Sequence, residues 1–165
     1  MQAGIVVGGR FVVRCYGSTG ELKWHENIDN LVVNEGLQYM LDTSFMGSAQ
    51  VSTLFLGLAG ATPSAGAAHT LAVHSGWTEV TAYSGNRKEW VKVRSSQTLS
   101  NSASKGSFSI DTNDTTCGGA LVSTVSTGTA GKLICVGAFT GGNKTADSGD
   151  TVEVQYDFTA ADDGS

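Results

Sequence analysis

Toward the C-terminal end of the chain, apolar and polar residues alternate with the period of two that a half-buried strand requires. The cleanest run is 151–159: Val152, Val154, Tyr156 and Phe158 share one face, and Glu153, Gln155 and Asp157 share the other. Phe108 and Ile110 fall together in 107–111, and two apolar runs, 119–125 and 132–140, are joined by a hairpin-like Ser-Thr-Gly-Thr-Ala-Gly turn. Residues 141–150 read as a further turn region. Near the N-terminus, 10–16 and 21–26 are strand-like runs separated by Gly-Ser-Thr-Gly, with Leu22, Trp24 and Glu26 on one face. Residues 53–58 predict a short apolar strand. About nine strands at 8–12-residue spacing, with turn signals between them, predict an all-β chain of β-sandwich or barrel type.

One segment breaks the period. Leu37, Met40, Leu41 and Phe45 recur at helical spacing, which predicts a single helix near 35–45. Asn34 is its expected N-cap, Glu35 lies just inside, and the helix ends by Gly47. Residues 59–68, rich in Gly and Ala and holding Pro63, read as a loop. One helical turn is expected over 69–74, and a loop with or without a short edge strand over 95–106. Residues 1–9 read as a flexible arm, 10–160 as one β-sandwich domain and 161–165 as a frayed tail.

The stretch 76–94 carries two of the three tryptophans. A Ser-Gly-Asn turn divides it into two halves that read as paired strands. Alternation after the turn puts Glu89, Val91 and Val93 on one face, read as core, and Lys88, Trp90, Lys92 and Arg94 on the other. An aromatic among three cations suits a partner contact. The other reading has Trp90 packed under a neighbouring loop and the cations solvated.

Composition narrows the partners. Only 15% of residues are charged, below the usual ~25%, while glycine stands at 22 and proline at one. The net charge of −5 disfavours nucleic acid, which draws basic domains. The N-terminal apolar run lacks a basic flank and is too short for a signal peptide or a membrane span, so folding in a cytoplasm is expected. Cys15, Cys117 and Cys135 are odd in number and widely spaced, which reads as buried hydrophobes rather than disulfides or metal ligands.

No residue set reads as an active site. Gly-Gly-Asn-Lys-Thr at 141–145 lacks both the spacing and the following helix of a phosphate loop. Asp111, Asn113 and Thr115 alternate as in a calcium loop, yet Thr116 and Val122 stand where Gly and Glu are needed. His25, His69 and His74 have no metal-ligand spacing. Glu79 and Glu89 would meet across a hairpin as a glycosidase pair does, or stand as two solvated carboxylates. No enzyme, cofactor or metal is expected.

Four stretches carry a resemblance. They are Leu-Val-Val-Asn-Glu-Gly-Leu-Gln-Tyr-Met-Leu-Asp (31–42), Leu-Phe-Leu-Gly-Leu (54–58), His-Ser-Gly-Trp-Thr-Glu-Val-Thr-Ala-Tyr-Ser-Gly-Asn-Arg (74–87) and Ser-Gly-Asp-Thr-Val-Glu-Val-Gln-Tyr-Asp-Phe-Thr-Ala (148–160). They resemble small virion structural proteins of tailed bacteriophages, most closely capsid decoration, or cement, proteins. The resemblance implies a jelly-roll-like β-sandwich and a non-enzymatic protein on the outer capsid surface. Its implied partner is the major capsid protein, bound as a homodimer or homotrimer without nucleic acid or membrane. Lys92 and Arg94 lie outside these stretches, so their role rests on alternation alone. A tail or fibre component, and a glycan-binding module stacking sugars on Trp24, Trp77 or Trp90, are the alternatives.

Overall fold

The structure, a computed structural model, describes residues 4–162. The first elements are β1 (Ile5–Tyr16), β2 (Leu22–Asp29), β3 (Leu31–Val32), α1 (Asn34–Phe45), β4 (Phe55–Ala59), β5 (Lys88–Glu89) and β6 (Val93–Ser95). After them come β7 (Thr98–Ser100), β8 (Gly106–Ser109), β9 (Thr115–Cys117), β10 (Gly119–Ser123), β11 (Leu133–Ala138), β12 (Lys144–Ala146) and β13 (Thr151–Asp162). The fold is all-β and sandwich-like, with one helix among the described residues.

The alternating C-terminal run becomes the spine of the larger sheet, ordered β2-β1-β13-β7-β6, with β8 also on β13. Its inward side chains are Val152, Val154 and Tyr156, joined by Phe11, Val13 and Cys15 of β1. The second sheet runs β3-β11-β10-β4-β5 and brings Leu56, Leu58, Ala120, Val122 and Ile134 against them. Each large side chain so enclosed contributes about 1.5–3 kcal/mol. The second sheet is covered on its other face as well. Leu121, Leu133 and Val136 pack there with Val33, Leu71 and Trp77. That is why β4, β10 and β11 read as near-continuous apolar runs rather than alternating ones.

Several expectations change. Residues 5–9 of the expected arm are strand, paired to β13 from Ile5↔Asp162 to Gly9↔Phe158. Pairing to β2 begins only at Arg10, so this part of β1 forms a ribbon with β13. Ala161 and Asp162 of the expected tail belong to β13; residues 1–3 and 163–165 lie outside the described residues. The turn region 141–150 contains β12, paired to β9. Residues 69–74 form bends and irregular backbone rather than a helical turn. The expected 76–94 hairpin does not form, because each half bonds elsewhere: Val80 N–H donates to Leu58 (2.8 Å) and Trp90 N–H to Leu54 (2.8 Å).

The three cysteines are free and buried. Burial pushes the Cys15, Cys117 and Cys135 thiols up to about 12, and the Asp150 carboxylate adds to the effect at Cys15. The unfolded chain loses these protons near pH 9, the folded chain only near 12. The stability they hold is therefore complete below about pH 9 and is lost as pH rises toward 12. Thermal melts should be level to about pH 8.5 and then fall by an amount on the order of a few kcal/mol by pH 11. A melting temperature unchanged at pH 11 would contradict this burial. A thiol reagent at pH 8 should find no cysteine until the chain unfolds.

Candidate functional site

The two sheets do not close fully at the end capped by α1. Gly36 sets that cap: a Cβ there would stand 2.2 Å from the Ile134 carbonyl oxygen, so only glycine lets the first helical turn lie on β11. Glu35 locks it. Its Oε2 accepts from the N–H groups of Leu71 (2.9 Å) and Leu133 (2.7 Å), and Oε1 meets Lys132 Nζ at 3.4 Å. Asn34 is not the N-cap; Val33 holds that position without a side-chain hydrogen bond, and Asn34 N–H donates to Ala67. The tertiary clamp replaces the local cap.

Under the C-terminal half of the helix lies a cavity of about 160 Å³. Met40, Leu54, Leu99, Val122 and Phe158 wall it, Trp90 lines its inner side, and the half-buried Lys92 and exposed Gln50 lie toward solvent. Trp90 is 3% exposed. Its indole N–H donates to the Tyr156 carbonyl at 3.0 Å, and its ring centroid lies 5.1 Å from that of Tyr156. The Lys92 ammonium sits 5.3 Å from the Trp90 ring centre. Among the described residues no carboxylate pairs with Lys92 or Arg94; Arg94 reaches only the Ser96 carbonyl.

The face assignment over 88–94 is therefore reversed. Val91 and Val93 are 45% and 66% exposed, and Glu89 is exposed on β5, while Trp90 enters the core. Burying an indole removes far more apolar surface from water than burying a valine, so the tryptophan face wins. The lysines follow by laying their stems over rings. Lys88 Nζ stands 5.5 Å from the Tyr83 ring centre and donates to the Ser84 carbonyl. Of the predicted partner-binding set, Trp90 and Lys92 meet at the cavity, Arg94 is exposed on the edge strand β6, and Lys88 is held on β5. The alternation signal was right in period and wrong in side.

The other candidate groups are tied into structure. Arg87 forms a two-pronged pair with Glu79 (2.6 and 2.7 Å) and donates to the carbonyls of Val125 and Gly128 (2.9 Å each). Glu79 thus answers Arg87, not Glu89. Lys23 Nζ bridges Asp147 (2.9 Å) and Asp150 (2.6 Å), and its hydrogen bond and charge hold the Asp147 carboxyl below its ordinary range. In the calcium-like stretch, Asn113 Oδ1 accepts from Ser148 N–H of a neighbouring loop, and Thr115 Oγ1 donates to the Thr112 carbonyl within the turn. Lys144 pairs with Glu26 at 3.1 Å. Trp77 is buried and stacked on His74 at 3.8 Å, and Trp24 donates to the Thr145 carbonyl. Among the described residues no group of three or more His, Cys, Asp or Glu is placed to hold a metal ion.

The cavity had no signal in the sequence, because its lining comes from α1, β7, β10, β11, β13 and two loops. Comparison with protein-family models, with curated proteins and with solved structures finds no match.

Proposed function

We propose that the chain is a non-enzymatic capsid decoration (cement) protein of a tailed bacteriophage. In this reading it binds the outer shell as a dimer or trimer and bridges major capsid subunits. The phage assignment rests on the resemblance of residues 31–42, 54–58, 74–87 and 148–160. A docking role is supported by one structural observation: the cavity is lined by Lys92, which, like the exposed Arg94, has no carboxylate partner among the described residues. Phe45 and Met46, which follow the cavity-lining Ser44, are 82% and 76% exposed. Apolar surface rimmed by charge is how interaction sites are built. In a chain of net charge −5, this local excess of cations selects an acidic partner surface.

The clamps described above suit a cement. Glu35, Arg87 and Lys23 each tie a loop to a sheet or helix, so the unit is stiff, and stiffness limits the ordering cost of docking. Many symmetric copies then add modest contacts into a strong shell. The ribbon of residues 5–9, with Ile5 80% exposed, supplies a second bridging element.

The experiment is a double charge reversal, Lys92→Glu with Arg94→Glu, assayed by retention on purified phage heads at physiological salt. Placing like charges across the contact should cost several kcal/mol and lower retention about tenfold or more. Unchanged retention of the folded variant would contradict docking through this face.

A further inference from the structure

We propose that the cavity under α1 is an anchor pocket that receives one phenylalanine- or leucine-sized side chain from an acidic segment of the partner, whose neighbouring carboxylate lands on Lys92. This rests on the docking reading of the same face and names the chemistry that the face selects.

Size is the first argument. A space of ~150 Å³ is large enough for a benzene-sized guest. The cavity here is of that size, at about 160 Å³. Met40, Leu54, Leu99, Val122 and Phe158 offer a guest dispersion contacts, and Thr43, Ser44 and Gln50 add polar groups to the lining. Methionine adapts its shape to a guest. Anchors that fill such pockets, ringed by contacts that exclude water, hold most of the binding energy of protein interfaces.

Charge is the second argument, and it fixes the kind of guest. Lys92 lines the cavity, has no carboxylate partner among the described residues, and is held by the Trp90 ring at 5.3 Å. An ammonium on a ring face keeps its remaining donors available for an anion. Arg94, two residues on, extends the positive field along β6. A neutral apolar guest would leave both cations unused. A guest with an adjoining Asp or Glu pairs the first and is steered by the second.

The pocket is tested apart from any capsid with 3-phenylpropionate and its neutral amide, titrated into the full chain and followed by methyl and indole NMR. At about −0.3 kcal/mol per heavy atom, a ligand of this size binds in the millimolar range. The expected result is saturable shifts at the methyls of Met40, Leu54 and Val122 and at the Trp90 indole. The acid should bind roughly fivefold tighter than the amide, and Lys92→Gln should abolish that difference. Leu54→Trp, which fills the space, should remove binding of both. Lys92 is half-buried, so Lys92→Gln stays informative if Leu54→Trp fails to fold. No saturable shift at ~10 mM, or equal binding of acid and amide, overturns the proposal. Self-association of the chain displaced by the acid overturns the acidic partner in favour of a second copy. Heads that retain Lys92→Gln as wild type overturn the anchor role while leaving decoration standing. A chain that binds the acid but never occurs on heads removes decoration and leaves the pocket.

Discussion

Replacing Glu79 with alanine is expected to destabilise the chain by about 3–5 kcal/mol, the cost of leaving a buried charge without its partner. The Arg87 side chain is 4% exposed and that of Glu79 21%. Arg87 spends its donors on Glu79 and on the carbonyls of Val125 and Gly128. Without the carboxylate, two donors of a guanidinium that is 4% exposed lose their acceptors. For a chain of this length the loss corresponds to roughly 6–20 °C in melting temperature. Replacing both partners by apolar residues of similar volume should restore most of it, because the pair's attraction largely offsets its own desolvation. The strain should show first in faster amide exchange over 124–131, the loop that Arg87 ties to 79–87. A single variant as stable as wild type would mean that the pair stands in water.

Trp90→Ala should cost a similar ~3–5 kcal/mol, as large aromatic truncations in packed cores do. The indole contacts Tyr156, supports Lys92 and closes the inner side of the cavity, so neighbouring side chains cannot simply collapse into the gap. Trp90→Phe keeps much of the burial but leaves the Tyr156 carbonyl without its indole donor, and should cost about 1–3 kcal/mol. Denaturant unfolding of the two variants checks the order. If both lie within 0.5 kcal/mol of wild type, the range of ordinary surface substitutions, the indole is not a core residue. That outcome would return Trp90 to the surface face that alternation alone suggests.

The period of the apolar positions made the fold class readable. Strands at 10–16, 119–125, 132–140 and 151–159 were legible because β-branched and aromatic residues cluster there between turn residues. The helix was legible because Leu37, Met40 and Leu41 follow 3.6 rather than two. What periodicity cannot say is which face of a two-sided run goes inward. Over 88–94 both faces carry apolar groups, and the choice follows from the larger surface of Trp90, a competition decided by the whole core. The β9–β12 pair escaped notice because Thr115–Cys117 and Lys144–Ala146 are only three residues long and are flanked by turn residues such as Asn113, Asp114, Gly118, Gly142 and Asn143. Leu71 and Trp77 escaped for a different reason. Leu71 lies in a stretch read as one helical turn and Trp77 in one read as a hairpin strand, whereas both belong to an irregular segment that covers the second sheet. The cavity depends on side chains from at least five elements and has no local signature at all.

The measurement that bears most directly on the central claim is the copy number of this chain in purified virions, relative to the major capsid protein, by quantitative mass spectrometry. The cement reading predicts a ratio near one or a simple fraction of it, retained in tailless heads. A handful of copies per particle, or co-purification with detached tails, would contradict it and place the chain in the tail or fibre.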